Sequence, residues 1–593
     1  MTTAVGYPDL MPRLLAGAAG LLTAAALAVP AACTAQPAAA PPHAASSPSA
    51  STPSAPGPAA PSRPTLLVFL TVDQMRADYL TTRFGAQLTG GLKRLRDAGA
   101  LFTNAHQDHA ITETAPGHAS TMSGRFPAHT GIFRNAAGVG DPQAPLLDGG
   151  TTGPASPFRF RGTVLVDWLR IADPRTRALS VSRKDRGAIL PLGRAKQQVF
   201  WYGGTGRFTT STYYADTLPA WVQRFNARDA GRRYAGRVWT PLLPASAYPE
   251  PDSVPVENGG RDYAFPHALP DDPAKAAALL PETPWMDELT LEAALAGVDA
   301  LGLGRGPQTD VLAVSLSTTD AVGHKYGMDS RELHDQVLRL DRALGTFLDS
   351  LYRTHDSTRV VFALTGDHGM APYPELHFPG ADPARGRADV AGVVRAHNAR
   401  LAAQGVRDAF DVESGAVTED TAAFRAGGVD ARAALLALVA DLRRTPGVEY
   451  VMTRDELPAL AAQRRDTSAA KYARRWLHMI PPDYPVAAAV TLAPYDYYAG
   501  VTYATHGSPH DYDTNVPVLF AGAPFRPGRY GEFARTVDIA PTLAAALGVA
   551  PVEPLDGVVL RSALKGGGAN GVLRTGRSER GGAGRVSAAR QGG

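Results

Sequence analysis

The stretch Thr65-Leu-Leu-Val-Phe-Leu-Thr-Val72 is an almost uninterrupted apolar run, and the acidic residue Asp73 follows it directly. A strand of this kind is buried on both faces, which is typical of parallel sheets covered by helices. Three further stretches have the same character and are also interpreted as buried parallel strands: residues 310–316, 359–364 and 516–520. The sequence therefore predicts an α/β fold centred on a parallel sheet.

An amphipathic helix separates the second and third of these stretches. Its apolar side chains step by four and three residues and form a single stripe: Leu333, Val337, Leu340, Leu344, Phe347 and Leu351. A strand, a helix and a second strand make a βαβ unit, in which the two strands are parallel and the helix covers the sheet. Ligands of such open sheets bind at the carboxyl ends of the strands. We therefore expect functional residues directly after the strands.

The amino-terminal segment, residues 1–33, has the pattern of an export signal. Arg13 precedes an apolar stretch that ends at Ala31-Ala32-Cys33. Cys33 is the only cysteine in the chain, which excludes an internal disulfide. It could be the lipid-acceptor cysteine of a bacterial lipoprotein, although Pro30 occupies a position where such signals usually carry leucine; ordinary cleavage nearby is the alternative. Both readings predict a periplasmic or extracellular protein, and membrane attachment only through a lipidated Cys33.

Composition divides the rest of the chain. Residues 34–63 are dominated by Ala, Pro and Ser, and residues 565–593 by Gly, Arg and Ser, so both are predicted to be flexible tethers. The catalytic domain is expected to span residues 64–564. Within it, the Pro-, Gly- and Arg-rich stretches near 213–283 and 372–484 fit the strand and helix rhythm poorly. We interpret these two stretches as insertions that form a cap over the functional edge of the sheet.

Acidic and histidine residues follow or flank the predicted strands: Asp73, Asp320, His324, Asp367, His368 and His506. Singly, each has an ordinary explanation; Asp73 could cap a helix, and His506 could lie in a turn. Together, three carboxylates and three imidazoles form a donor set that borderline divalent metals favour. Asp320 and His324, four residues apart, can converge on one ion from a single helical turn. The set predicts a divalent metal site.

The motifs around these residues occur in a characteristic order: Thr-Val-Asp73-Gln-Met-Arg, Thr114-Ala-Pro-Gly-His, Asp320-x-x-x-His324, Gly366-Asp367-His368-Gly369, Thr505-His506-Gly507 and Val537-Asp538-Ile-Ala-Pro541-Thr-Leu543. In this order they resemble the motifs of the alkaline phosphatase superfamily, over about residues 65–560. The resemblance implies a three-layer α/β/α sandwich with a mostly parallel sheet. It also implies an exported metal-dependent hydrolase.

Carried onto this sequence, the resemblance implies two zinc ions per chain, although the ligand types also suit manganese. One site would be built by Asp73, Asp367, His368 and the hydroxyl of Thr114, and the other by Asp320, His324 and His506. The nucleophile of the superfamily precedes a proline by two residues, which selects Thr114 over Thr112 or Ser120. A hydroxyl is a poor nucleophile until a metal lowers its pKa. Thr114 is thus expected to form a phospho-threonine intermediate.

The substrate class is suggested by Ser182-Arg183-Lys184-Asp185-Arg186-Gly187-Ala188. This segment resembles the one that binds the substrate dianion in phosphate-irrepressible bacterial alkaline phosphatases; a solvated basic loop is the alternative. In extended backbone, Lys184 and Arg186 would point to one face and Asp185 away from it. Asn135 matches an asparagine of the same branch that donates a hydrogen bond to a phosphoryl oxygen. A diester carries one charge less and a second ester group, so the pattern favours small phosphate monoesters.

Charge and motifs exclude several other functions. A formal net charge of +3 over 593 residues, without clustered Lys and Arg, argues against a nucleic-acid partner. A sulfatase needs Cys or Ser at the start of a C/S-x-P-x-R motif, and Cys33 lies in the signal. Two alternatives stay open: a nucleotide pyrophosphatase or phosphodiesterase of the same superfamily, and a surface lipoprotein that binds zinc or phosphate without turnover. The physiological ester and the oligomeric state are not indicated by the sequence.

Overall fold

The computed structural model of the protein describes residues 63–566, except residues 149, 151, 379, 381–385, 464 and 466. Three predicted segments therefore lie outside the described residues: the export segment with Cys33, the amino-terminal tether before Arg63 and the carboxyl-terminal tether beyond Gly566. All described residues fall in one compact unit.

The strands of the described residues are β1 Leu66–Val72, β2 Ala100–His106, β3 Ala178–Ser182, β4 Gln198–Tyr202, β5 Phe208–Thr209, β6 Val238–Trp239, β7 His267–Ala268, β8 Asp310–Leu316, β9 Val360–Gly366, β10 Arg387–Ala388, β11 Phe410–Glu413, β12 Ala416–Glu419, β13 Val448–Thr453, β14 Val486–Leu492, β15 Tyr497–Tyr498, β16 Val518–Ala521 and β17 Gly528–Arg535.

The helices of the same residues are α1 Gly91–Ala98, α2 Thr114–Ser123, α3 Pro127–Thr130, α4 Leu165–Ala172, α5 Asp185–Ile189, α6 Ala220–Asn226, α7 Ala230–Tyr234, α8 Pro273–Leu279, α9 Trp285–Leu301, α10 Thr318–Tyr326, α11 Arg331–Tyr352, α12 Pro374–His377, α13 Val390–Ala402, α14 Thr421–Gly427, α15 Ala431–Leu442, α16 Leu457–Ala461, α17 Ser468–Met479, α18 Asp511–Thr514 and α19 Ile539–Leu547. Among the described helices, none has both the length and the hydropathy of a membrane span.

The main sheet has nine strands in the order β17-β2-β16-β9-β1-β8-β3-β4-β5. Strand β1 lies at its centre and pairs in parallel with β8 and β9. Val72, the last residue of β1, lies opposite Leu316 in β8 and Gly366 in β9. These three strands therefore end level, which brings the residues that follow them to the same edge of the sheet.

The sheet is buried on both faces by helices, as predicted for an α/β/α sandwich. Side chains of β1 alternate between the two sides: Val68 and Leu70 belong to one apolar cluster, and Leu67 and Phe69 to the other. Helices α1, α9, α10 and α11 contribute to the first cluster, and α2, α4, α5 and α19 to the second. The predicted amphipathic helix is α11, which begins where Ser330 Oγ accepts a hydrogen bond from the backbone N–H of Leu333.

The fourth predicted strand corrects the sequence interpretation. Strand β16 is buried as expected, but it runs antiparallel to both of its neighbours, β2 and β9. The reason is the direction from which the chain arrives. The segment that precedes β16 already lies at the edge where β1, β8 and β9 end, so the strand must run back from that edge.

The two predicted insertions differ from one another in structure. The later one contains a separate antiparallel sheet, β11-β12-β14-β13, with its own apolar cluster that includes α13 and α15. Its strand β14 lies beyond residue 484, so this lobe extends further than the predicted boundary. The earlier stretch, 213–283, contributes side chains such as Trp221, Tyr234 and Trp239 to the cluster on one face of the main sheet. It packs there onto the helical layer.

A buried carboxylate joins the earlier insertion to α11. Asp335 is fully buried and accepts hydrogen bonds from Trp239 Nε1 at 2.7 Å, Leu242 N at 2.5 Å and Tyr248 Oη at 2.6 Å. Arg339, one helical turn later, supplies a positive charge at 2.5 Å. Removing the carboxylate would leave several buried donors without an acceptor, and unpaired buried groups are costly.

We predict that Asp335→Ala lowers the free energy of unfolding by about 3 kcal/mol, because it breaks a buried network around a charged acceptor. The measurement is urea denaturation followed by fluorescence. Asp349→Ala on the same helix is the control, since that side chain is 63% exposed and pairs with Arg94 at the surface; its effect should stay within about 0.5 kcal/mol. Equal losses in the two variants would contradict the assignment of Asp335 as the joining residue.

Candidate metal centre

The six predicted ligands all lie at the edge where the central parallel strands end. Asp73 directly follows β1, and Asp367 and His368 directly follow β9. Asp320 and His324 lie in α10, the helix that follows β8 after a single residue. His506 comes from the segment that leads into the reversed strand β16. Four separate parts of the chain thus contribute to one edge.

The structure brings these ligands together in two groups. Asp320, His324 and His506 form one, and Asp73, Asp367 and His368 form the other; within each group the ligand atoms lie within 4.8 Å of one another. We call them the Asp320 group and the Asp73 group. This division is the one that the family resemblance implies.

Each histidine presents the same ring nitrogen to its group. Nδ1 of His324 donates a hydrogen bond to the carbonyl of Ala504 at 2.7 Å, and Nδ1 of His506 donates to the carbonyl of Thr112 at 2.7 Å. Nδ1 of His368 donates to the carbonyl of Gly369 at 3.0 Å. Because these carbonyl oxygens can only accept, Nδ1 carries the proton in all three rings. Nε2 is left with its lone pair free for a cation.

In each group, Nε2 faces another ligand atom in buried or half-buried space. In the Asp320 group, Nε2 of His324 and Nε2 of His506 are 3.2 Å apart. In the Asp73 group, Nε2 of His368 and Oδ1 of Asp73 are 3.4 Å apart, and neither buried atom has a hydrogen-bond partner among the described residues. Opposed buried acceptors are unfavourable unless a cation lies between them. The side chains of both groups therefore fit divalent metal ions.

The electrostatics of the centre lead to the same conclusion. Burial, together with the carboxylates of Asp320 and Asp367, raises the pKa of Asp73. Burial also acts to raise the pKa of Asp320, but Lys184 and His324 outweigh it and hold that pKa well below its usual value. Burial, and then the neighbouring His368 and His324, lower the pKa of His506, which keeps its ring neutral. Crowded carboxylates beside the neutral ring of His506 form an environment that divalent cations stabilise.

Thr114 lies at the start of a helix beside these groups. It is the first residue of α2, and all ten residues of that helix are buried. The unpaired N–H groups of a first helical turn and the helix dipole place partial positive charge at this end, which favours an anion near Thr114. A Cβ atom at Gly117 would lie 2.4 Å from the carbonyl oxygen of Asp367. Glycine at this position therefore lets α2 pack directly against the ligand loop.

Lys184 connects Thr114 to both groups. Its Nζ lies 3.3 Å from Oγ1 of Thr114, 2.7 Å from Oδ2 of Asp73 and 2.6 Å from Oδ2 of Asp320. One ammonium nitrogen thus contacts the candidate nucleophile and a carboxylate of each group. The three contacts place the Thr114 hydroxyl at the junction of the two groups.

The predicted extended conformation around Lys184 holds only in part. Lys184 itself is extended, with φ −93° and ψ 141°, but α5 begins at Asp185. The chain turns into a helix here because the end of a parallel strand must lead into a crossover that covers the sheet, and the acidic Asp185 suits a first helical turn. Arg186 is therefore not related to Lys184 by strand alternation. Its guanidinium contacts Asp185, and its buried Nε has no hydrogen-bond partner in the part of the chain that the structure describes.

Asn135 is held next to the candidate nucleophile. Its Oδ1 accepts a hydrogen bond from the backbone N–H of Ala115 at 2.9 Å, and its own backbone N–H donates to Glu113 at 2.7 Å. These two bonds, one to the side chain and one from the backbone, tie Asn135 to the residues on either side of Thr114. Because the amide oxygen is used, the amide nitrogen is the group left to donate.

Sequence reasoning assigned no role to two buried residues of this centre. Nδ1 of His118 lies 2.9 Å from the carbonyl of Thr114 and 3.1 Å from Oδ2 of Asp367, and its Nε2 lies 2.9 Å from Ser315 Oγ. Gln74 hydrogen-bonds to Asp367 and to Asp320. Both residues lie inside the motifs that carry the family resemblance, and their place in those motifs is the sequence signal that could have identified them.

Comparisons with known proteins identify a family. A family described as type I phosphodiesterase / nucleotide pyrophosphatase matches residues 67–427. The chain is 31% identical to alkaline phosphatase PhoV of Synechococcus elongatus, over 85% of this chain and 94% of PhoV. It is 33% identical to alkaline phosphatase PhoK of a Sphingomonas species, over 83% and 90%.

A solved structure is also similar. The crystal structure of wild-type alkaline phosphatase PafA superposes with a TM-score of 0.77 at 28% identity, and covers 85% of this chain and all of that one. By sequence, PafA of Elizabethkingia meningoseptica is 30% identical over 82% of this chain and 92% of PafA. The similarity thus extends over nearly all described residues.

We predict that zinc-loaded protein, dialysed against metal-free buffer, retains two zinc ions per chain, because each group offers three convergent ligands. His324→Ala should retain about one, since it removes a ligand from the Asp320 group alone. Inductively coupled plasma mass spectrometry gives the stoichiometry. His355→Ala is the control, because this buried histidine bonds to the carbonyl of Leu303 instead. One zinc or none in the wild type, or unchanged zinc in His324→Ala, would contradict the two-group arrangement.

Proposed function

The chain belongs to the type I phosphodiesterase / nucleotide pyrophosphatase family of the alkaline phosphatase superfamily and is an alkaline phosphatase, and we propose that it hydrolyses small phosphate monoesters with Thr114 as nucleophile. The observation that carries the proposal is the position of Lys184 Nζ, within hydrogen-bonding distance of Thr114 Oγ1, Asp73 and Asp320. A hydroxyl at the junction of two metal-ligand groups is suited to attack a phosphoryl group held there.

Two divalent ions would be held by the Asp73 group and the Asp320 group. Three carboxylates and three imidazoles suit zinc, and manganese accepts the same donors. When bound, such ions lower the pKa of a hydroxyl and neutralise charge on the phosphoryl oxygens. The proposed metal identity is therefore zinc, two ions per chain.

The chain's own residues would carry out the substitution in two steps. Thr114 Oγ1 forms a bond to phosphorus while the P–O bond to the alcohol breaks, and the alcohol leaves with the proton that the threonine gives up. Water then attacks phosphorus, which restores the threonine hydroxyl and releases inorganic phosphate. The positive end of α2 favours the alkoxide and the negative phosphoryl group throughout. The intermediate is a phospho-threonine.

The preference for a monoester is supported by the donors that Lys184, Arg186 and Asn135 offer. Lys184 supplies a full positive charge beside Thr114, the Nε of Arg186 is buried with no hydrogen-bond partner among the described residues, and the amide nitrogen of Asn135 is left to donate. A monoester dianion has three free phosphoryl oxygens to accept such bonds, whereas a diester has two and carries one charge less. The match to a family described as phosphodiesterases makes diester hydrolysis the second candidate.

We also propose that the enzyme works outside the cytoplasm. The support is the signal-like pattern of residues 1–33. Cys33 would then be either a lipid anchor or part of an ordinary cleavage region.

We predict that Thr114→Ala lowers kcat for p-nitrophenyl phosphate by at least about 10³-fold, because the attacking oxygen is lost. Zinc content should stay at the wild-type value, since six other side chains provide ligands. The control is Thr346→Ala, which removes an exposed hydroxyl on α11. Wild-type activity in Thr114→Ala would move the nucleophile to another residue.

We predict that Lys184→Ala and Arg186→Ala lower kcat/KM for p-nitrophenyl phosphate by about 10–100-fold, the loss expected for a hydrogen bond to a charged group. The loss on bis-p-nitrophenyl phosphate should be much smaller, because a diester has less charge to bind. Arg175→Ala is the control; this exposed arginine pairs with Asp173 at the surface. Equal losses on the two substrates would refute a site selective for the dianion.

A further inference from the structure

Gln74 is a strained residue buried between the two metal-ligand groups. It follows Asp73 directly, is fully buried and has φ of +65°. A long side chain rarely adopts this left-handed conformation, because its Cβ is crowded by the backbone. Such strain persists only where the surrounding structure enforces it, and it concentrates at functional sites.

Two hydrogen bonds from Gln74 reach one ligand of each group. Its backbone N–H donates to Oδ1 of Asp367 at 3.0 Å, and its side-chain Nε2 donates to Oδ1 of Asp320 at 3.1 Å. The left-handed backbone turns the N–H and the side chain toward these two carboxylates at once. Both hydrogen bonds are buried, and each joins two segments that lie far apart in the chain.

The bond to Asp320 acts on the oxygen that faces the histidines of its group. Oδ1 of Asp320 lies 3.2 Å from Nε2 of His324 and 3.6 Å from Nε2 of His506. An amide donor on that oxygen fixes the rotation of the carboxylate toward the space where the three ligand atoms converge. The bond to Asp367 uses its Oδ1 and leaves Oδ2 facing His368, 3.7 Å from Nε2.

Helix α10 has a glycine where the Gln74 amide lies. A Cβ atom at Gly323 would lie 1.7 Å from Oε1 of Gln74. Glycine inside a helix is unfavourable, so its presence between Asp320 and His324 needs a local reason. The close approach of the Gln74 amide provides that reason, and it is an observation independent of the two hydrogen bonds.

We propose that Gln74 is the positioning residue that fixes the two metal-ligand groups relative to one another, and that Gly323 provides the space for its amide. The inference rests on the two-metal site of the proposed function and deepens it. Gln74 acts through Asp320 and Asp367. Losing its amide donor releases the Asp320 carboxylate, whereas the backbone bond to Asp367 remains.

The first test is Gln74→Met, which keeps the length of the side chain and removes the donor. Zinc affinity is measured by titration with a chromophoric chelator, and cobalt(II) absorption reports the ligand geometry. One of the two zinc ions should bind about 10–100-fold more weakly, the usual effect of losing an outer hydrogen bond to a metal ligand, and the other should bind as in the wild type. Unchanged affinity of both ions and an unchanged cobalt spectrum would overturn the proposal.

The matched control is Gln308→Met. Gln308 is also buried and its Nε2 donates to a carboxylate, that of Asp310, at 3.2 Å, but Asp310 begins strand β8 at the opposite edge of the sheet. This variant loses the same kind of bond and should keep both zinc affinities. If Gln308→Met weakens zinc binding as much as Gln74→Met does, the effect is general destabilisation and the proposal fails.

The second test uses Gly323→Ala, which fills the space of the Gln74 amide without touching a ligand. It should weaken the same zinc ion as Gln74→Met does. In a Gln74→Ala background the added methyl group meets no amide, and its remaining close neighbour is the flexible end of Met370, with Sδ at 3.1 Å. Gly323→Ala should therefore have little further effect, and the losses should not add. Additive losses would overturn the proposal. Wild-type protein that binds no zinc would instead overturn the proposed function, so the two failures are distinguishable.

Discussion

Three buried carboxylates at the ends of adjacent strands are the constraint on which the rest of the structure depends. Strand register forces Asp73 and Asp367 to the same level, and the short connection from β8 to α10 adds Asp320. All three are at most 3% exposed. Unpaired buried charges cost several kcal/mol each, so a fold that collects three of them must supply cations.

The other features of the centre follow from that requirement. Lys184 provides one positive charge between the groups, and the carbonyls of Thr112, Ala504 and Gly369 orient the imidazoles so that each offers a lone pair. Divalent ions would offset the remaining negative charge. The same ions would then be available to an incoming phosphoryl group, which explains how a chain of low net charge could bind a dianion.

Much of this arrangement could be predicted from the sequence. Apolar runs identified β1, β8 and β9, and the acidic and histidine residues after them form the two groups that the family resemblance implies. Long apolar runs are a strong signal because both faces of a central strand are buried. The direction of β16 was predicted wrongly, since an apolar run does not show from which edge the chain enters.

Other features depended on contacts that leave no pattern in the sequence. The backbone from Lys184 to Arg186 was predicted to be extended, but α5 begins at Asp185, because the covering of the sheet decides where a strand ends. The carbonyls that orient the imidazoles are backbone groups, so the residues that carry them need no particular side chain. Gln74 follows a ligand in a recognisable motif, but its positive φ and its two bonds arise only when three segments meet.

The most direct test of this account is the ratio of kcat/KM for p-nitrophenyl phosphate to that for bis-p-nitrophenyl phosphate, measured on the zinc-loaded wild-type enzyme. The donors of Lys184, Arg186 and Asn135 should bind a dianion far better than a monoanion with a second ester group. We expect a strong preference for the monoester. A preference for the diester would leave the fold and the two ligand groups in place, but it would contradict the proposed monoesterase.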